Sequence, residues 1–457
     1  MKILILAITG LAAIAGAQGP PADVVGDWQG VLHAGAVQLH VVIHLTRARD
    51  GRLHATLDSV DQGAMGIPIA SAVLQGATLH LDVVAAHASY EGHVRGDTIT
   101  GTWTQGGASL PLAFERVRDA AALRPPARPQ DPVPPFPYRA EDVTYGNPHA
   151  GIRLAGTLTL PEGPGPFPAA ILISGSGAQD RNETVFGHHP FLVLADYLTR
   201  RGVAVLRSDD RGVGGSGGPF AGETSADFAT DVESALAYLT TRPEIDARKI
   251  GLIGHSEGGL IAPMVAVRHP EVAFVVMWAG PGVPGADLLV EQVRSLSIAA
   301  AKPPAEVDKA VADERAILAA VARDIDPARL RADVQGLVPP GQLDTALRQL
   351  ASPWLRYFLT YDPAVALRRV RCPVLALIGS KDTQVPAAQN VPAIRQALEA
   401  GGNRHFEVDE LPGLNHLLQP AKTGGVDEYG KIPITIAPEA LEKMATWIVG
   451  VVQISHA

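Results

Sequence analysis

The chain has 457 residues, of which 46% are hydrophobic and 19% are charged, and this composition suffices for a large core and two domains. Its formal net charge of −9 and its lack of basic runs argue against binding to nucleic acid or to an anionic membrane. One cysteine cannot form an internal disulfide bond. Because that residue, Cys372, opens the apolar run PVLALIG, we interpret it as a buried structural thiol.

The first residues, MKILILAITGLAAIAGAQG, have the pattern of an export signal. Lys2 supplies a positive charge, residues 3–13 are apolar, and Ala15-Gly16-Ala17 fits the small-x-small rule for cleavage. The apolar run is shorter than the roughly 20 residues that a membrane helix needs. We therefore predict a signal peptide over residues 1–17 and a periplasmic or extracellular protein, with a buried strand as the alternative. No later stretch is predicted to span a membrane.

Residues 22–118 contain short segments in which apolar and polar side chains alternate. Leu39, Val41, Ile43 and Leu45, for example, fall on one face of their segment. Period two is typical of half-buried strands, and a spacing near ten residues favours an antiparallel barrel or sandwich of eight or so strands. We predict solvated strand faces and no metal site for the seven histidines of this region, which are His33, His40, His44, His54, His80, His87 and His93.

Residues 119–137 are rich in proline, which indicates an extended linker and a domain boundary. From residue 138 to residue 457, continuous apolar strands alternate with helical segments, which predicts a parallel sheet with helices on both faces. Over about residues 283–369 this alternation stops and the pattern is helical. We interpret that stretch as an insertion between two strands and as a candidate lid.

Two stretches match G-x-S-x-G, a pattern typical of serine nucleophiles. Ser256, in KIGLIGHSEGGL, follows a predicted strand and opens a predicted helix, whereas Ser216 lies in a glycine-rich loop. A nucleophile elbow requires the first context, because the tight strand-to-helix turn lifts the hydroxyl above the sheet. We therefore predict that Ser256 is the nucleophile.

A serine nucleophile needs a histidine base and a carboxylate that orients it. Asp382 lies in the loop directly after the strand PVLALIGS, and His416 lies in the loop directly after RHFEVDEL. Carboxyl ends of parallel strands share one sheet edge, so the three side chains are expected to meet there. The residues weighed and set aside are Asp362, Asp409, His405 and His456.

A backbone oxyanion hole completes the predicted site. The amide of Glu257 is one expected donor, because it directly follows the nucleophile. A second donor is expected from the turn Ser174–Gly177, where we favour Ser176 over Gly177. Charged residues in 179–182 and 209–211 are expected to pin loops together rather than to bind substrate.

Four aromatic residues of the insertion recur at near-helical spacing. These side chains could line an acyl pocket or pack onto the sheet, and the sequence does not choose between the two roles. The four residues are Trp354, Tyr357, Phe358 and Tyr361.

Five motifs occur in the order found in a known group of enzymes. The chain resembles the exported bacterial serine esterases of the α/β-hydrolase superfamily, several of which carry an extra N-terminal β domain. These motifs are SGSGAQDRNE, DDRGVGGSGG, GHSEGG, GSKDTQVP and LPGLNHLLQPAKTGGVDEY. The resemblance covers roughly residues 138–448 and leaves the role of the first domain open.

The resemblance implies an α/β-hydrolase fold and carboxylic ester hydrolysis through an acyl-enzyme, with no cofactor. The expected substrate is a short- to medium-chain acyl ester. A serine peptidase or an acyl thioesterase with the same triad is the alternative, and a binding protein with an inactive hydrolase domain is a third hypothesis.

Overall fold

The computed structural model describes most of the chain. The described residues are 23–34, 37–60, 64–84, 88–105, 108–119, 128–323, 326–338 and 343–454. The predicted signal peptide, His87 and His456 lie outside these ranges. No helix within the described ranges is long and apolar enough to cross a membrane.

The N-terminal part of the described chain is one antiparallel sheet of nine strands, in the order β4-β3-β2-β1-β9-β8-β7-β6-β5. Its strands are β1 Gly26–Ala34, β2 Val37–Arg47, β3 Leu53–Ser59, β4 Ala64–Ile69, β5 Ser71–Gln75, β6 Thr78–Val83, β7 Ala88–Arg95, β8 Thr98–Gln105 and β9 Ala108–Arg116. Contacts of β3 with β5 and of β4 with β6 bring the two edges together, so the sheet is nearly closed.

The alternation in the sequence decides which side chains this sheet encloses. Val41, Ile43 and Leu45 belong to its core, and Leu39 packs against them. On the opposite face, His44 lies between two carboxylates, 2.8 Å from Asp27 and 2.9 Å from Asp58.

A second sheet has eight strands in the order β10-β11-β13-β12-β14-β15-β16-β17 among the described residues. β10 and β11 pair antiparallel to their neighbours, and the other strands are parallel. The strands are β10 Arg139–Asn147, β11 Ile152–Leu160, β12 Phe167–Ile173, β13 Ala204–Ser208, β14 Ile245–His255, β15 Val275–Trp278, β16 Val374–Gly379 and β17 Phe406–Leu411.

Helices cover both faces of this second sheet. The helices are α1 Pro190–Thr199, α2 Ser225–Thr240, α3 Glu257–Arg268, α4 Gly285–Ala299, α5 Pro304–Arg323, α6 Pro327–Val334, α7 Leu343–Leu350, α8 Pro353–Thr360, α9 Pro363–Leu367, α10 Ala387–Ala400, α11 Val426–Tyr429 and α12 Pro438–Ile454. Buried side chains of α2, α3 and α10 form one core with the sheet, and those of α1 and α12 form another. Continuous apolar strands fit this arrangement, because both of their faces are buried.

Helices α4 to α9 lie between β15 and β16, where the sequence predicts the insertion. Residues of α5, α6 and α8 form a small core of their own, and α8 also contacts α2. The predicted fold class, an α/β-hydrolase fold preceded by an all-β, antiparallel, barrel-like domain, is confirmed.

Candidate active site

The turn between β14 and α3 places Ser256 in a backbone conformation that few residues adopt. Ser256 has φ 52° and ψ −117°, and its N–H donates to the carbonyl of Trp278 at 2.8 Å. Such strain is typical of functional sites. A Cβ atom added at Gly254 would lie 2.0 Å from the carbonyl oxygen of Gly258, and one added at Gly258 would lie 2.1 Å from that of Ile173. The glycines of GHSEGG are therefore required by close backbone contacts on both sides of Ser256.

The second G-x-S-x-G match has a structural role. Ser216 is buried, its hydroxyl donates to the carbonyl of Asp209 at 2.7 Å, and it accepts from the N–H of Ala155 at 2.9 Å. Both contacts tie the glycine-rich loop to β11 and to the end of β13.

Asp382 and His416 form a buried hydrogen-bonded pair. Asp382 Oδ2 lies 2.8 Å from His416 Nδ1, and both residues are at most 5% exposed. Asp382 Oδ1 accepts from the N–H groups of Gln384 at 2.9 Å and Val385 at 2.8 Å. Since a carboxylate only accepts, His416 Nδ1 carries the proton and Nε2 is the ring nitrogen able to accept one.

The residues that the sequence analysis considered and set aside lie outside the pair formed by Asp382 and His416. Asp362 caps the N-terminus of α9 with its side chain, and Asp409 lies 2.8 Å from the ammonium group of Lys443. His405 is exposed just before β17.

Ser256, His416, Glu257 and Ser176 line a single pocket. Trp354 of α8 lines the same pocket and stacks on Phe358, with ring centroids 5.2 Å apart. The four predicted aromatics therefore form two stacked pairs, of which one lines the pocket. The other two, Tyr357 and Tyr361, stack on each other at 5.5 Å and do not line this pocket, although all four side chains belong to or pack against the core that the sheet forms with its helices.

The turn after β12 lies beside Ser256, as expected for the second oxyanion donor. Among the described residues, no acceptor is bonded to the backbone N–H of Ser176 or of Glu257. The N–H of Gly175 is already taken, because it donates to Glu183 Oε1 at 2.6 Å. Gly177 has φ +98° and lines a neighbouring cavity on the side of Asp210 rather than the pocket of Ser256. The geometry therefore leaves the amides of Ser176 and Glu257 available to a ligand.

Three carboxyl groups hold this turn, and the sequence analysis singled out only one of their side chains, that of Asp210, as one expected to pin loops. Glu183 holds Gly175, and Asp210 accepts from the hydroxyl of Ser174 at 2.5 Å and from the N–H of Gln179 at 2.9 Å. Burial raises the pKa of Asp210 to about 7.

The third carboxyl group, that of Glu257, connects the elbow to the insertion. Its Oε1 accepts from the hydroxyl of Ser225 at 2.6 Å and from the indole N–H of Trp354 at 2.8 Å, and its side chain also bonds to Ser176. Burial raises the pKa of Glu257. A raised pKa favours the neutral acid, which limits the negative charge beside the two free amides.

The charged residues at 181 and 211 pin loops, as the sequence suggests. Arg181 binds Asp209 at 2.7 Å and Asp142 at 2.9 Å. Arg211 binds Asp231 at 2.7 Å and Glu223 at 2.9 Å and is 2% exposed, so its charge is paired within the protein. The single cysteine, Cys372, is largely covered, and burial raises the pKa of its thiol to about 12.

Comparison with known proteins supports the same fold. Residues 189–326 match the family Hydrolase_4, described as serine aminopeptidase, S33. This match includes Ser256 but ends before Asp382 and His416. Esterase EstD of Thermotoga maritima is 26% identical over 288 residues, which are 63% of this chain and 62% of EstD. Esterase FrsA of Serratia proteamaculans is 29% identical over 149 residues, or 32% of this chain and 33% of FrsA.

A solved structure of an esterase from Pyrococcus furiosus matches with a TM-score of 0.44 and 16% identity, over 72% of this chain and 98% of that one. The chain spans less than two thirds of the length of EstD and about a third of FrsA. It has the α/β-hydrolase fold, is similar to the Hydrolase_4 family over the segment that carries Ser256, and has esterases among its relatives.

Proposed function

We propose that the protein is a serine carboxylic ester hydrolase that cleaves short- to medium-chain acyl esters through an acyl-enzyme. One observation carries the proposal. Ser256, on a strained strand-to-helix turn, shares a pocket with His416, whose Nδ1 is bound to the buried carboxylate of Asp382. This combination supplies a nucleophile, a base and the group that orients the base.

In the proposed reaction, His416 Nε2 takes the proton of the Ser256 hydroxyl as Oγ attacks the ester carbonyl carbon. The carbonyl oxygen becomes an oxyanion and accepts from the amides of Glu257 and Ser176. Each such donor contributes about 3 kcal/mol of transition-state stabilisation. Protonated His416 gives its proton to the leaving alcohol, and Asp382 stabilises the imidazolium. Water deprotonated by His416 then attacks the acyl carbon, the bond to Ser256 Oγ breaks, and His416 returns the proton to Oγ as the acid leaves.

The walls of the pocket support an apolar acyl group of limited size. Leu288 and Leu289 of α4 and Trp354 and Phe358 of α8 cover one side of it. Phe186, on the loop before α1, contributes to another wall and packs edge-on against Tyr429 at 5.4 Å. Apolar pockets discriminate single methylenes weakly, so activity is expected to decline gradually with chain length.

The aminopeptidase description of the matching family supports one further candidate, hydrolysis of aminoacyl amides. An aminopeptidase needs a group that binds the substrate ammonium. We rank ester hydrolysis first because the aligned relatives EstD and FrsA are named as esterases.

The test is hydrolysis of p-nitrophenyl esters, from acetyl to dodecanoyl, by the mature chain and by Ser256→Ala. We expect activity that falls with long chains, and a loss of about 10³-fold or more in the variant. Aminoacyl p-nitroanilides are the parallel substrates. An intact protein that cleaves the anilides and none of the esters would replace the esterase proposal with a peptidase.

We also propose that the protein is exported by cleavage after Ala17 and works in the periplasm or outside the cell. The basis is the charged, apolar and small-residue pattern of residues 1–17. Mass spectrometry of the protein from its own cells is expected to show a chain that begins at Gln18. A chain that retains Met1 or Lys2 in the cytoplasm would contradict export.

A further inference from the structure

His255, the residue directly before Ser256, hydrogen-bonds at both ring nitrogens. Its Nδ1 lies 2.8 Å from Glu183 Oε1, and its Nε2 lies 3.3 Å from the carbonyl oxygen of His416. His255 is 5% exposed and Glu183 is 2% exposed. Neither residue is assigned a step in the proposed reaction, yet both lie at the wall of the pocket.

The two partners of His255 determine its charge. A carboxylate oxygen and a backbone carbonyl oxygen only accept hydrogen bonds, so the ring must donate from both nitrogens and is an imidazolium. Burial lowers the pKa of His255, but the charge and hydrogen bond of Glu183, the hydrogen bond to the His416 carbonyl and the charge of Asp382 together raise the pKa overall. His255 and Glu183 therefore form a buried ion pair.

The same carboxylate oxygen also holds the turn next to Ser256. Glu183 Oε1 accepts from the N–H of Gly175 at 2.6 Å. A Cβ atom added at Gly175 would lie 3.1 Å from Ser256 Cβ, 3.2 Å from Glu183 Oε1 and 3.5 Å from His255 Nδ1. These groups therefore converge on one point between the oxyanion turn and the nucleophile.

Glu183 is itself held in an unusual conformation. It has φ 52°, in the left-handed region that favours glycine, and its N–H donates to the carbonyl of Asp180 at 2.8 Å. The Asp180 side chain fixes the same loop through the N–H groups of Asn182 at 3.0 Å and Thr184 at 2.9 Å. Strain of this kind persists only where the surrounding structure fixes the residue.

We infer that Glu183 and His255 are positioning residues. They hold the oxyanion turn and the loop of His416 at fixed positions relative to Ser256. The hydrogen bonds run from Gly175 through Glu183 and His255 to the main chain of His416. Asp382 holds the side chain of His416, and His255 donates to the backbone carbonyl group of His416. A productive site must hold its groups to within about 0.5 Å, and this connection joins three segments that are far apart in sequence.

This inference rests on the proposed function, because positioning is measured through ester hydrolysis. Its alternative is that the ion pair only stabilises the fold. A buried ion pair is weak evidence for stability, since desolvation offsets much of the attraction between the charges. The two roles predict different effects on kcat.

Glu183→Gln is the discriminating variant, because the amide has nearly the shape of the carboxylate. With its oxygen towards Gly175 and His255, it leaves His255 neutral, with one proton on Nδ1, and the bond to His416 is lost. With its NH₂ group towards them, the bond from Gly175 is lost. Either orientation breaks the connection without leaving a cavity.

We expect Glu183→Gln to lower kcat for p-nitrophenyl butyrate by about 10- to 100-fold, with KM changed by less than about threefold. Modification of Ser256 by a fluorophosphonate is expected to slow by a similar factor. The matched control is Glu244→Gln, the same substitution at the opposite end of β14 from Ser256, where it weakens ion pairs with Arg139 at 2.8 Å and Arg242 at 3.0 Å. It is expected to lower Tm and to keep kcat within about threefold of the parent.

Nitrogen-15 NMR of the histidine rings is the second measurement, and it does not depend on turnover. His255 is expected to be protonated on both nitrogens at neutral pH in the parent protein and to lose one proton in Glu183→Gln. A neutral His255 in the parent would overturn the inference.

Equal kcat values for Glu183→Gln and the parent, or an equal loss in Glu244→Gln, would also overturn it. A parent protein that reacts with neither esters nor the fluorophosphonate would instead overturn the proposed function.

Discussion

At the scale of single residues, Asp382 has the contacts expected of the carboxylate partner of a catalytic base. Two backbone N–H groups occupy Oδ1, so Oδ2 alone faces His416. The sequence predicted this pairing from strand order alone, because both residues follow strands that end at one sheet edge. It did not predict the bond between His255 and Glu183, which are separated by 72 positions and follow no common spacing rule.

Asp382→Asn is expected to lower kcat by about 10³- to 10⁴-fold, because an amide NH₂ group in place of Oδ2 favours the wrong tautomer of His416. The measurement is steady-state kinetics on a short acyl ester. Asp362→Asn is the control, since Asp362 lies near the same strand in sequence but caps α9. Loss of activity in the control and retention in Asp382→Asn would reverse the assignment of the acid.

Asp210 is expected to make stability depend on pH. Burial raises its pKa from 3.8 to about 7, so between these values the folded chain binds more protons than the unfolded chain. This contribution is complete below about pH 4 and is lost as the pH rises through about 7. Thermal unfolding from pH 5 to pH 8 is expected to show a smaller fall of Tm in Asp210→Asn than in the parent.

The control for this comparison is Asp50→Asn, at an exposed turn after β2. It is expected to follow the parent curve. A fall of Tm in Asp210→Asn that equals the fall in the parent would show that Asp210 does not cause the dependence.

At the scale of elements, the junction of β14 and α3 is packed backbone against backbone. The sequence predicted this junction well, because a serine flanked by glycines between a strand and a helix is specific to a tight turn of this kind. The sequence did not indicate which face of α8 lines the pocket. Spacing separates Trp354 and Phe358 from Tyr357 and Tyr361, but only packing against α2 and α4 orients the helix.

Gly258→Ala is expected to destabilise the chain by about 2 kcal/mol or more and to abolish ester hydrolysis, because the new Cβ atom would overlap backbone atoms. It would lie 2.1 Å from the carbonyl oxygen of Ile173. Gly450→Ala in α12 is the control, since its Cβ atom would meet nothing within 4 Å. Chemical denaturation is expected to show a gain of about 0.5 to 1 kcal/mol for the control. A Gly258→Ala protein with parental stability and activity would contradict the close packing inferred for the elbow.

At the scale of the whole molecule, part of the predicted linker is bound to the hydrolase domain. Arg128 donates to the carbonyl groups of Phe186 at 2.8 Å, Gly187 at 3.1 Å, Gly430 at 3.0 Å and Ile432 at 2.8 Å. The proline content predicted an extended segment here. Composition does not reveal that Arg128 of this segment donates to carbonyl groups that lie far from it in the sequence. Because Phe186 and Tyr429 line the pocket, this one side chain supports two of its walls.

Arg128→Ala is expected to lower the free energy of unfolding by about 2 kcal/mol, because four partly buried carbonyl groups lose their donor. KM for medium-chain esters is expected to rise more than KM for acetyl esters, since the loosened wall lies along the pocket. Arg128→Lys is not expected to restore the parent values, because an ammonium group lacks the planar fork of donors. Arg248→Ala, at an exposed site, is the control. Parental stability and KM in Arg128→Ala would exclude this supporting role.

The first and last strands of the N-terminal sheet are neighbours. β1 pairs with β9, Val117 N–H donates to the carbonyl of Asp27 at 2.8 Å, and Arg116 donates to that of Val25 at 2.7 Å. The chain therefore enters and leaves this sheet at almost the same point. A unit with adjoining ends can be gained, exchanged or lost by genetic recombination at one position, without redirecting the chain on either side. The adjoining ends of the nine-stranded sheet meet this geometric requirement.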